Sequence, residues 1–267
     1  MKKNVLIKEF HKEVKELRKD CLKISYKGQD GNLQSVFSCI DIMYVLYKCI
    51  MSFNDRFVLS KGQASLGLYS ILAKKGLINK DELNTFCTFG SRFGMQIDKT
   101  KFTKEKLMST GSLGHGLPFA VGISSAKKNR NIPGITYCLC GDGELMEGTM
   151  WESIMYASHY QLDNLTVIVD NNHSAKNMID INDISNKFES FGFKVVKCSG
   201  HNLIDLIESL FYFKENKPVV VICDTVRGYG SVTLENDKSW FHRAPKDINE
   251  LNNLLEEVEN FYEEYII

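Results

Sequence analysis

The chain has 267 residues, 43% of them hydrophobic and only four of them proline, a size and composition that suit an α/β globular body and exclude a disordered chain. Lys plus Arg and Asp plus Glu both number 33, so net charge points to neither a nucleic-acid nor a membrane partner. No apolar run is expected to reach the roughly 18 residues that span a bilayer, and the charged start MKKNVLIKEFHKEVKELRKD lacks the apolar stretch of a signal peptide, so the expectation is a cytoplasmic protein.

In chain order, Leu6, Phe10, Val14 and Leu17 recur at helical spacing and predict an amphipathic helix over 4–25. SCIDIMYVLYKCIM predicts a second, more buried helix over 38–51. FVLS at 57–60 is short and strand-like, and 65–76 returns to helix with a glycine stop. The charged stretch 98–109 is expected as a surface loop.

From 111 the pattern changes to a glycine-rich turn that feeds a helix. Near-continuous apolar strands are then predicted at 134–140, 165–170, 192–198 and 217–225, separated by helices near 147–160 and 202–213, with a terminal amphipathic helix running to Ile267. Such strands between helices indicate a mainly parallel sheet covered on both faces, an α/β fold, and the absence of a Pro/Ser-rich linker favours a single domain over 1–267. The eight cysteines are scattered and are expected as buried, reduced thiols, with Cys138 and Cys140 on one strand face. The six histidines form no metal-binding pattern.

The chemistry concentrates at one sheet edge. Gly141-Asp142-Gly143 follows a strand directly, and the two glycines permit a close backbone approach while Asp142 points above the sheet. A helix and a second strand follow, and a right-handed crossover returns that strand's end, Asn171-Asn172, to the same edge. A carboxylate, an amide oxygen and a backbone carbonyl make a hard, oxygen-only set suited to Mg2+ beside a diphosphate.

This segment, GDGELMEG…WE…HYQLDNLTVIVDNN, resembles the thiamine-diphosphate fingerprint, and its wording resembles transketolases, specifically the separately encoded N-terminal subunits of split transketolases. DRFVLSKGQ, STGSLGHGL, GFKVVKCSGHN, DTVRGYG and SWFHRAP fall in family order, so the likeness covers about residues 10–250. The resemblance implies a thiamine-diphosphate-binding fold carrying only the diphosphate-binding domain. It implies Mg2+, with Ca2+ or Mn2+ as possible substitutes, held by Asp142, Asn172 and the Ser174 carbonyl. It places Lys61, Arg227 and Arg243 near the diphosphate or a substrate phosphate, and Gly111, Leu113 and Gly116 in the loop lining the cofactor. Glu147 and Glu152 match acids near the interface between two cofactor sites.

The resemblance also implies what this chain lacks. The pyrimidine-binding domain and its activating Glu would come from a separately encoded C-terminal subunit, giving a heterotetramer that acts on small molecules. Transketolases surround the reacting carbons with histidines, but in family order this chain writes Asn32, Gln63 in SKGQ, Gln96 in GMQID and Phe241 in SWFHRAP. Asn and Gln hydrogen-bond but carry no proton at neutral pH, and Phe does neither. The resulting expectation is a two-carbon ketol or acyl transferase with an atypical substrate. In it Gln63 and Gln96 face that substrate, and His115 or His242 serves as the acid or base. The alternatives are a subunit that uses pyruvate or another 2-oxo acid to form acyloins, and a non-catalytic cofactor-binding regulatory subunit.

Overall fold

The computed structural model describes residues 2–176, 178–211 and 216–266. The helices, in chain order, are α1 (Lys2–Gly28), α2 (Leu33–Val45), α3 (Ser65–Lys74), α4 (Gly116–Asn129), α5 (Gly148–His159), α6 (Ile184–Ser190), α7 (Leu203–Phe211), α8 (Val232–Asn236) and α9 (Ile248–Ile266). The strands are β1 (Arg56–Leu59), β2 (Thr136–Gly141), β3 (Leu165–Asn171), β4 (Lys194–Ser199) and β5 (Val219–Asp224). The expected helix over 202–213 and the terminal helix run into 212–213 and 267, which lie outside the described residues. By its contacts the chain forms two compact units, one of residues 1–47, 63–105 and 226–267, the other of 48–62 and 106–225.

The first unit is helical. The α1 periodicity buries Phe10, Val14 and Leu17 as expected, while Leu6 stays exposed. Arg18, wholly buried on α1, bridges to both carboxylate oxygens of Asp41 on α2 and donates to the carbonyls of Phe37 and Tyr229. This fixes α1, α2 and the 229 turn with one fork-shaped cation.

Helix α2 starts earlier than expected because Asn32 caps it, its Oδ1 accepting from the Ser35 amide at 3.2 Å. With the π-helical turn Leu46–Ile50 it forms a stretch apolar and long enough by composition to cross a membrane, but it carries Asp41 and Lys48 and 78% of it is buried inside the protein. It is therefore read as a core helix, and the expectation that no apolar run reaches about 18 residues is corrected by this stretch.

The 98–109 stretch is not wholly surface, because Phe102 and Leu107 are buried. Phe102 stacks on Tyr69 at 5.3 Å and meets Phe93 edge-on, so one aromatic side chain anchors a charged segment.

The second unit holds the sheet. Its five strands are all parallel in the order β1-β2-β3-β5-β4. Strand β2 alternates Tyr137 and Leu139 on one face with Cys138 and Cys140 on the other, and all four are buried, which is why its sequence reads as a continuous apolar run. Cys138 and Cys140 pack with Leu117 and Val121 of α4, Met150 and Ile154 of α5 and Phe188 of α6, so these helices cover one face. The chain steps in one direction from β1 through β3 to β4 and then reverses to insert β5, so right-handed connections place α7 on the opposite face.

All eight cysteines are thiols, but not all are buried as expected. Cys49 is exposed and Cys87 and Cys198 are half-buried. The short helices α6 and α8 had no counterpart in the sequence reading, since five to seven residues show too little periodicity to register.

Candidate functional site

The site lies in the second unit, beyond the carboxyl ends of the strands, where ligands of open parallel sheets sit. Strand β2 ends at Gly141, paired in register with Asp170 of β3, and Asp142 opens a 3-10 turn, Asp142–Met146. Asp142 is buried, and its Oδ1 accepts from the Gly143 amide at 2.8 Å and the Ser174 hydroxyl at 3.1 Å. Its Oδ2 has the Ala175 amide at 3.5 Å, a long contact that leaves acceptor capacity. The Ser174 amide donates to Asn172 Oδ1 at 3.1 Å, so one serine bridges the two predicted metal ligands.

The turn that allows this pivots on His173, whose φ of 57 is left-handed and whose Nε2 stands 2.9 Å from Asp224 Oδ1 at the end of β5. A cleft of about 730 Å3 is lined here by Asp142, Asn171, His173, Ser199 and Asp224, spanning the ends of four strands.

A carboxylate beyond the fingerprint aspartate organises the neighbouring loops. Glu144 is buried, and its Oε1 accepts from the Ser60 hydroxyl at 2.6 Å and the Gly114 amide at 3.0 Å. Its Oε2 accepts from the Gly141 amide at 2.9 Å. Burial pushes its carboxyl above the ordinary glutamate range, against the opposing effect of these three donors and Lys61. It thus joins the end of β1, the glycine-rich loop and the end of β2. The sequence reading missed Glu144; an acid placed directly after a buried strand, where an unpaired charge is costly, was the available signal.

Lys61 does not present a free ammonium. It is almost fully buried and ion-paired with Asp170, which also accepts from the Thr225 hydroxyl. Asp170 itself was read only as part of a strand, and both residues make further contacts.

In the glycine-rich loop, Gly116 is required by close approach, since an added Cβ would lie 2.4 Å from Ser60 Cβ. Gly114, with φ of 76, would place a Cβ 2.6 Å from Glu147 Cβ. Gly111, His115 and Gly116 line a small pocket of about 190 Å3 with Ser60 and Ser109, at the start of α4. Exposed His115 precedes α4, and its Nδ1 lies 2.9 Å from the Leu113 carbonyl; Leu113 is exposed. Glu147 precedes α5 at the N-cap position and Glu152 is on its exposed side.

The remaining predicted residues belong to the first unit. Gln63 sits in the 3-10 turn Gly62–Ala64, and Gln96 is half-buried. The Arg227 guanidinium lies 4.9 Å from the centre of the Phe241 ring, which meets the His242 ring edge-on at 4.2 Å. Arg243 stacks over Trp240 at 4.0 Å and is ion-paired with Glu250. Both arginines are therefore held by aromatic rings within that unit.

A parallel sheet with helices on both faces, and with an acidic turn and an Asn-bearing turn at the carboxyl ends of its strands, is the architecture of an α/β ligand-binding domain. The solved transketolase of Campylobacter jejuni superposes on it with a TM-score of 0.81 at 28% identity, covering 95% of this chain and 42% of that one. Residues 11–259 match the family described as transketolase, thiamine diphosphate binding domain, and the chain belongs to that family.

Among the relatives, one subunit of the apulose-4-phosphate transketolase of Actinobacillus succinogenes is 32% identical over 96% of this chain and 98% of its own length. Human transketolase is 32% identical over 91% of this chain but only 41% of its own length. The chain thus matches a separate subunit end to end and a full-length transketolase in part.

Proposed function

We propose that this chain is the diphosphate-binding subunit of a two-subunit transketolase, binding thiamine diphosphate through Mg2+ at the Asp142 edge. The observation that carries the reading is the bridge of Ser174 between Asp142 and Asn172, which gathers a carboxylate, an amide oxygen and a backbone turn into one cluster of oxygen donors. That donor chemistry fits a hard cation, and one carboxylate leaves most of its charge to balance a diphosphate.

Bound thiamine diphosphate supplies the electron sink for breaking and forming the carbon–carbon bond. The protein's own groups hold and orient it. Asp142, Asn172 and the Ser174 carbonyl ligate the ion, Mg2+ or in its place Ca2+ or Mn2+. Gly114 and Gly116 let the loop approach closely, and Glu144 locks that loop to the two strand ends. Lys61, held by Asp170, stands near the diphosphate or a substrate phosphate.

The partner in this reading is a second chain bearing the pyrimidine domain and the activating Glu, together forming a heterotetramer with Glu147 and Glu152 near the interface between cofactor sites. The substrate is a ketose phosphate of the kind named for the Actinobacillus relative, handled by Gln63, Gln96 and a proton carrier at His115 or His242. Offering the paired subunits apulose 4-phosphate, xylulose 5-phosphate and pyruvate separately, with a common aldehyde acceptor, tests this. Two-carbon transfer from a ketose phosphate is expected. Turnover of pyruvate alone would replace the reading with acyloin formation, and no turnover of any donor by a cofactor-loaded pair would favour the regulatory alternative.

A further inference from the structure

We propose that Cys198 and Cys223 form an oxidisable dithiol, closed to a disulfide by hydroperoxides. The two residues are paired in register on the adjacent parallel strands β4 and β5, and their sulfurs stand 3.6 Å apart. In-register neighbours on a sheet lie about 4.8 Å apart between strands, inside the range over which a disulfide forms without backbone movement. Val195, Val220 and Ile222 pack into the cluster under α4, α5 and α6, so strand alternation places Cys198 and Cys223 together on the opposite face.

Access and reactivity separate this pair from the other close pair. Cys138 and Cys140 also have sulfurs 3.7 Å apart, but they are neighbours along one strand and both are fully buried. Cys198 is half-buried, and only Cys223 behind it is fully covered. The Cys223 thiol holds the Cys198 thiol below the ordinary thiol range, against burial and with added help from Ser209 of α7. The pair therefore has a partly accessible attacking sulfur and a covered resolving sulfur.

The step balances with a hydroperoxide as the named oxidant. The Cys198 thiolate attacks the peroxide, its S–O bond forming as the O–O bond breaks, and the leaving oxygen takes up a proton. The Cys223 sulfur then attacks the Cys198 sulfur, the S–S bond forms, and the S–O oxygen departs as water with the Cys223 proton. Two electrons pass from the two thiols to the peroxide. The new bond would lie one residue from Ser199 and Asp224, both of which line the large cleft.

The test is peptide mapping of the full chain under non-reducing conditions, before and after limiting hydrogen peroxide and then dithiothreitol. The expected result is one new cross-linked peptide pair containing Cys198 and Cys223, with loss of two titratable thiols and recovery of both on reduction. A C223S variant is expected to lose the cross-link and to carry a dimedone-reactive sulfenic acid at Cys198. Two thiols that stay titratable, a cross-link through Cys49 or Cys87 in their place, or overoxidation of Cys198 without a cross-link would each overturn the proposal. The wild-type mapping decides the matter by itself, whatever the folding of the variant.

Discussion

The Glu144 carboxylate accepts the amide hydrogen of Gly114 at 3.0 Å and so ties the turn after β2 to the loop before α4. Its other oxygen accepts from Gly141, and a third donor, Ser60, comes from the end of β1. A glutamine of the same shape has one oxygen and would turn its NH2 toward at least one of these donors. E144Q is expected to cost about 1–3 kcal/mol of stability at neutral pH, read from the shift of a urea midpoint. An unchanged midpoint would show that the three bonds carry no net stability.

The same carboxylate sets a pH dependence. Burial raises its folded-state affinity for a proton, so the folded state binds more protons than the unfolded one. Its contribution is then fully present below the ordinary glutamate value of 4.5 and is lost as pH rises through the higher folded value. Urea titrations across that window should show the gap between the wild type and E144Q shrinking as pH increases. A gap that widens with pH would reverse the sign and contradict a raised value.

Lys61 and Asp170 form an ion pair that is almost completely buried. Removing one partner leaves a buried charge without its counter-ion, so D170N is expected to cost about 3–5 kcal/mol. The double variant K61M/D170L is expected to cost less than the sum of the single changes. Additive losses would show that the two residues do not act as a pair.

Two glycines of α4 make a controlled comparison. An alanine at Gly116 meets Ser60 Cβ at 2.4 Å and is expected to destabilise by about 1–3 kcal/mol. An alanine at Gly122 meets nothing within 4 Å and is expected to stabilise by up to about 1 kcal/mol through helix propensity. Thermal melts of G116A and G122A shifting in the same direction would contradict the packing argument.

Strands β2, β3 and β5 were legible because they are buried almost throughout and are therefore nearly uninterrupted apolar runs, whereas the edge strand β4 is only half-buried. Strands β2 and β3 fall within a residue or two of expectation, and the crossover between them brings Asp142 to the turn that carries Asn172 and Ser174. What stayed hidden were partnerships between segments far apart in sequence. Nothing local marks Ser60 as the partner of Glu144, 84 positions away, or Lys61 as the partner of Asp170, 109 positions away. The counter-ion of Lys61 was hidden inside a strand pattern. Asn32 was read only as a replaced histidine, whereas its side chain serves as a helix cap, a role set by where α2 begins.

The most direct measurement is calorimetric titration of thiamine diphosphate into the co-purified subunit pair, with and without Mg2+, for the wild type and D142A. Saturable binding that requires Mg2+ in the wild type and is lost in D142A is the predicted result. Unchanged binding in a folded D142A pair, or wild-type binding indifferent to the metal, would contradict the assignment of Asp142 as the ligand that anchors the diphosphate.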